Sequence, residues 1–204
     1  MKQYNAKRRL LSAALALATL SLNANTVMAS GSPVMNVGRD TSQPIGHYNY
    51  CQNNITDCSI TSWNTGPVKL TQARWTEMVR ANNRANKSII PVTDMDYYGT
   101  EEYWVMPKSH GDCEDFALMK RKELLSKGWP ASSLLITVVR QPNGDGHAVL
   151  TVRTNRADYV LDNLNGEILQ WDQTDYTYIK RQTPRHSGIW QSIKDTRSYV
   201  GAIK

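Results

Sequence analysis

The chain has 204 residues, and its formal charge of +6 comes from 24 Lys/Arg against 18 Asp/Glu. Four of those cations (Lys2, Lys7, Arg8 and Arg9) lie in residues 1–29, which hold no acid, so residues 30–204 carry 20 basic and 18 acidic side chains, net +2. That near balance, with no cationic stripe and interleaved aromatics, excludes the electrostatic footprint of a nucleic-acid binder; the remaining 175 residues suit one domain with its own core.

The first segment, "MKQYNAKRRLLSAALALATLSLNANTVMA", has a basic start, an apolar run from Leu10 to about Leu22, and small residues at Val27 and Ala29 before Ser30. This is the layout of a secretory signal, and the apolar run is short for a membrane span of ~20 residues. The expected organisation is therefore a signal peptide over 1–29 and an exported mature chain over 30–204, with no stable membrane insertion after cleavage.

Residues 30–68 are rich in Gly, Pro, Ser and Asn and lack steady periodicity, which predicts an irregular arm. Within it "YCQNNITDC" brings Cys51 and Cys58 close together among turn-forming residues, and an oxidising compartment favours a disulfide there. Closing so short a loop stabilises by about 2.5 kcal/mol on the chain-entropy account. Cys113 is then left over, and a free thiol in such a compartment is a hazard unless buried or used.

The segment 70–89 places Trp75, Met78, Val79 and Asn82 at helical spacing, which predicts a helix. "PVTDMDYYGTEEYWVMP" mixes aromatics and acids between two prolines and reads as extended or looped. "DCEDFALMKRKELLSKGWP" predicts a second helix, capped by Asp112, favoured by Asp115 in its first turn, and stopped by Gly128 and Trp129-Pro130. Cys113 then occupies the first helical position, where unpaired N–H groups and the positive dipole end favour an anion.

Strand patterns follow. "LLITVVR" reads as a buried strand, "QPNGDG" as a turn, and "HAVLTVRT" and "YVLDNL" as two more strands around "NRAD". Asn165-Gly166 is a hairpin signal, and "YTYIKRQT" predicts a final strand. Helices followed by an antiparallel meander make an α+β pattern.

Nucleophilic catalysis by cysteine needs a base and a group that orients the base. His147 opens one strand and Asp162 lies on the next; a four-residue turn at 153–156 sets them directly opposite on one face, one register among several. His110 is a rival base that the chain points away from the helix, and His47 and His186 read as surface residues in irregular segments.

The blocks "GDCEDFALMKRKELLSKGWP", "LLITVVR", "GHAVLTVRT" and "YVLDNLNGEILQW" resemble the bacterial transglutaminase-like cysteine proteinase family, which includes the LapG-type periplasmic proteases. The likeness runs from about Tyr50 to Thr183. It implies a papain/transglutaminase-like fold, with N-terminal helices packed on an antiparallel sheet. It also implies Cys113 as nucleophile, His147 as general base and Asp162 as its orienting partner. Members of the family need Ca2+, held by acids flanking the cysteine, which match Asp112, Glu114 and Asp115 here. The resemblance further implies a protein substrate, a surface adhesin cut near its N-terminal end at paired alanines, and sequestration by an inner-membrane cyclic-di-GMP receptor. The residues alone leave two alternatives open: an acyltransferase using the same triad, and a non-catalytic domain that binds calcium or a partner.

Overall fold

The computed structural model describes residues 32–197; the expected signal segment lies outside them. Its centre is a seven-stranded antiparallel sheet in the order β1-β9-β8-β4-β5-β6-β7. These strands are β1 (Val37–Thr41), β4 (Leu134–Arg140), β5 (Gly146–Arg153), β6 (Asp158–Leu161), β7 (Leu169–Gln170), β8 (Thr177–Gln182) and β9 (Trp190–Ile193). The helices are α1 (Ile45–Asn53), α2 (Ile55–Cys58), α3 (Gln72–Ser88), α4 (Asp94–Tyr98) and α5 (Cys113–Ser126), and β2 (Ile90–Pro91) pairs in parallel with β3 (His110–Gly111). No described helix is long and apolar enough to cross a membrane.

Helix α5 packs on β5 and β4, and α3 packs on α5. Alternation along the strands sends residues into two cores. Leu134, Ile136, Leu150, Val152 and Leu161 join Met78, Ala81, Ala117, Leu118 and Leu124 between sheet and helices. Val139, Val149 and Val160 join Met35, Trp171, Tyr178 and Ile193 in a second cluster. Each such aliphatic side chain contributes about 1.5–3 kcal/mol by leaving water, so the centre of the sheet is a rigid platform for the ends of β5 and β6. At the C-terminal end of α5, Gly128 takes φ +80°, Gly128 N–H donates to Leu125 O and Trp129 N–H to Leu124 O, which ends the helix at the position its sequence predicts.

Several expectations are corrected. Residues 30–68 are not irregular throughout: they form β1 at the sheet edge and then α1 and α2, which the Cys51–Cys58 disulfide joins. The segment 91–107 contains the short helix α4, with Thr93 Oγ1 accepting from Asp96 N–H and Gly99 in the left-handed region at φ +70°. "YTYIKRQT" forms β8, but it leaves the meander to pair with β4, and β9 follows it. Asn165-Gly166 makes no tight hairpin turn. Residues 162–168 form a longer connection, and α3 holds it through Asn82 Nδ2 donating to Gly166 O at 3.2 Å and Asn86 Nδ2 donating to Asp162 O at 2.8 Å. His47 is 1% exposed, wedged among Trp104, Trp190 and the disulfide. The indole N–H of Trp190 donates to His47 Nδ1 at 3.2 Å, and the side-chain amide of Gln182 lies 3.2 Å from His47 Nε2.

Candidate active site

The turn between β5 and β6 is Thr154–Ala157, with Arg153 opposite Asp158. His147 and Asp162 are therefore offset diagonally rather than directly opposite. The shift is one residue pair, which preserves the face, and His147 Nε2 still meets Asp162 Oδ1 at 2.8 Å. Both side chains are buried. Leu164 N–H donates to the same Oδ1 at 3.0 Å, and Tyr176 O–H donates to Oδ2 at 2.5 Å. Burial alone would raise the Asp162 carboxyl, but the hydrogen bond and charge of His147, with those of Tyr176 and Leu164, hold it below its usual range. An ionised Asp162 only accepts, so Nε2 carries the proton of this bond.

Cys113 is the first residue of α5 and the free cysteine of the chain. It lines one cleft with His147, Ala148, Gly146, Val138, Trp104 and Asp94. Its Sγ accepts from Ala148 N–H at 3.3 Å and donates to Glu114 Oε2 at 3.2 Å; among the described residues no hydrogen bond joins it to the imidazole. Burial and then the neighbouring Glu114 and Asp112 push the thiol well above its ordinary pKa.

The carboxylates gather around this sulfur. Asp112, Cys113 and Glu114 each bring a ligand-type atom within 4.8 Å of the others, and Asp94, Asp112 and Asp115 form a second such group. Asp112 stands at the N-cap but makes no side-chain capping bond, contrary to the expectation for it, and its Oδ1 is buried without a partner. Asp115 Oδ1 accepts from Val105 N–H at 2.9 Å, while its Oδ2 is also buried and unpartnered. Burial, then the hydrogen bond and charge of Asp112, raise Glu114 to about 10; burial raises Asp115 to about 8. Asp94, which accepts from Tyr103 N–H, is raised too, chiefly by burial. Four crowded acids with two orphaned oxygens are a donor set suited to a hard, oxygen-seeking cation.

Asp94 is the member that the sequence did not reveal. Its segment reads as extended or looped, and only the fold brings Asp94 beside Asp112 and Asp115. Gly111 explains its place in the Gly-Asp-Cys-Glu-Asp block: a Cβ there would lie 2.5 Å from Asp115 Oδ2 and 2.8 Å from Asp115 Cβ. His110 stacks on Tyr97 and contacts Ser109, away from the sulfur.

A helix that begins with cysteine, packed on an antiparallel sheet whose strands bring His and Asp together, defines a papain- and transglutaminase-like cysteine peptidase. The family model described as bacterial transglutaminase-like cysteine proteinase, BTLCP, matches residues 37–198, and the chain belongs to that family. Among curated proteins none matches. The fold is similar to that of Legionella pneumophila LapG in its calcium-bound form, at 23% identity over 66% of this chain and 76% of that one, with a TM-score of 0.52. The EGTA-treated form of the same protein is 22% identical over 76% of this chain and 81% of that one, with a TM-score of 0.51.

Proposed function

We propose that the mature chain, residues 30–204, is a calcium-dependent periplasmic endopeptidase with Cys113 as nucleophile, His147 as general base and Asp162 as the residue that orients it. The observation that carries this reading is the buried 2.8 Å bond from His147 Nε2 to Asp162, which leaves Nδ1 as the ring nitrogen for Cys113, whose cleft His147 also lines. Nδ1 takes the thiol proton, the sulfur attacks a peptide carbonyl carbon, and the imidazolium then protonates the leaving amine nitrogen. Water, deprotonated by His147, adds to the thioester and releases the acid, returning the proton to sulfur. The backbone N–H of Cys113, at the helix start, is the natural donor to the oxyanion.

Asp94, Asp112, Glu114 and Asp115 are the residues that would hold calcium, a fit supported by the orphaned Oδ1 of Asp112 and Oδ2 of Asp115. When bound, the ion supplies positive charge beside the sulfur, where the chain alone supplies carboxylates. The calcium-bound form of the LapG relative supports the same reading. A periplasmic location is supported by the signal layout of residues 1–29 and by the Cys51–Cys58 disulfide. The substrate is an exported protein of the adhesin type, cut at paired alanines, and an inner-membrane cyclic-di-GMP receptor is the regulatory partner; both rest on the family resemblance.

The test is incubation of the purified mature chain with an adhesin N-terminal fragment containing paired alanines. Cleavage is expected with calcium, and is lost with EGTA and in Cys113→Ala. Amine incorporation without cleavage would instead favour acyl transfer.

A further inference from the structure

Each oxygen of the Asp162 carboxylate has its own donor, and the donor on Oδ2 comes from outside the Cys–His–Asp set. It is the phenol of Tyr176, at 2.5 Å. The Tyr176 ring also lies against the imidazole of His147, with centroids 5.4 Å apart and planes tilted by 57°. We propose that Tyr176 is a positioning residue for the His147–Asp162 pair. Its hydroxyl fixes the rotation of the carboxylate, and its ring closes one side of the imidazole. The inference rests on the reading that this pair serves Cys113.

The physical need is plain. Rotation of an aspartate about its terminal torsion is broad and nearly two-fold. Donors on Oδ1 set a distance to His147 but leave the carboxylate plane soft. A donor on Oδ2 fixes that plane, and with it the direction in which the imidazole points Nδ1. Burial, the hydrogen bond and the charge of Asp162 all push the phenol up from its ordinary pKa, so it remains a donor rather than a competing base.

The backbone supports this placement. Tyr176 lies one residue before β8, and Arg197 donates to the backbone oxygens of Trp171, Thr174 and Tyr176 while it pairs with Asp195. The loop that presents the phenol is thus tied from the far end of the described chain. This gives the segment after β9 a part in organising the site.

The experiment uses Tyr176→Phe, which keeps the ring and removes the donor, and Tyr176→Leu, which removes both. Four quantities are read in each: kcat and KM for cleavage of the adhesin fragment, the rate of Cys113 alkylation by iodoacetamide, and Tm. Tyr176→Phe is expected to lower kcat about tenfold with KM within about twofold, and to slow alkylation in parallel, because misaiming rather than lost binding is the defect. Tyr176→Leu falls further. Rates are normalised to the folded fraction from circular dichroism, so a less stable variant is still decisive. Wild-type kcat and alkylation in Tyr176→Phe, whatever its Tm, would overturn the proposal. His147→Ala separates the two levels: if it stays active, the reading of the pair itself has failed; if it is inactive while Tyr176→Phe is normal, only the role of Tyr176 has failed.

Discussion

The Cys113 thiol donates to the carboxyl group of the next residue, Glu114, at 3.2 Å, and not to His147. That contact holds the proton on sulfur. One carboxylate ~6 Å away at an effective dielectric near ~20 disfavours a thiolate by roughly 3 kcal/mol. With Asp112 and Glu114 both acting on it, the sulfur at the start of α5 needs a compensating cation more than it needs the helix dipole.

Calcium is accordingly expected to stabilise the fold as well as activate it. At a free concentration ~100 times its Kd, the gain is about 2.7 kcal/mol, read as a rise in Tm by calorimetry. Asp94→Asn and Asp112→Asn should each flatten that response. A full response in Asp94→Asn would remove α4 from the ion site.

Gly111→Ala should damage the same site from outside it. The added methyl meets both Oδ2 and Cβ of Asp115, and the latter cannot swing away without moving α5. The expected cost is about 1–3 kcal/mol of stability, from urea titration, with weakened calcium binding by isothermal calorimetry. An unchanged calcium titration would contradict the packing described for Asp115.

Lys120 makes a prediction at the alkaline side. It is 1% exposed on α5, and burial lowers it to about 7 despite the attraction of Asp162. A folded-state pKa below the unfolded value of 10.5 means that the unfolded chain binds the extra proton between these limits. Stability from this group is therefore fully present above the unfolded pKa and is lost as pH falls through about 7. Unfolding free energy should rise with pH between about 7 and 9 by up to ~1.4 kcal/mol per unit more in wild type than in Lys120→Met. Parallel slopes would contradict it.

His47 governs the acid side in the same sense. Burial, and then the positive charge of Arg121, lower it from 6.5 to about 4. Its contribution is present above the unfolded value and is lost as pH falls from about 6.5 towards 4, up to ~3 kcal/mol. His47→Gln should unfold with a visibly shallower pH dependence over that window, measured by urea titration.

Much of this site was legible in the sequence because its parts sit on strongly patterned elements. "LLITVVR" is β4 end to end, and α5 begins at Cys113 as its sequence predicts, although Asp112 makes no capping bond. The register between β5 and β6 was read one pair out, yet His147 and Asp162 still meet, because a one-pair shift keeps both on the same face. What failed to show depends on tertiary packing. Helix α1 buries Gly46, His47 and Tyr50 rather than an apolar stripe, so neither the helix nor the buried histidine had a periodic signature. The Asn165-Gly166 signal yielded to two asparagines of α3 that hold the connection open. Asp94 and Tyr176 act only through neighbours remote in sequence.

The most direct measurement of the central claim is the rate at which iodoacetamide alkylates Cys113 at neutral pH, with calcium and with EGTA, in wild type and His147→Ala. If a cation offsets the acids and the imidazole takes the proton, calcium should raise the wild-type rate about tenfold or more and leave His147→Ala slow. Equal wild-type rates in calcium and EGTA would contradict the account.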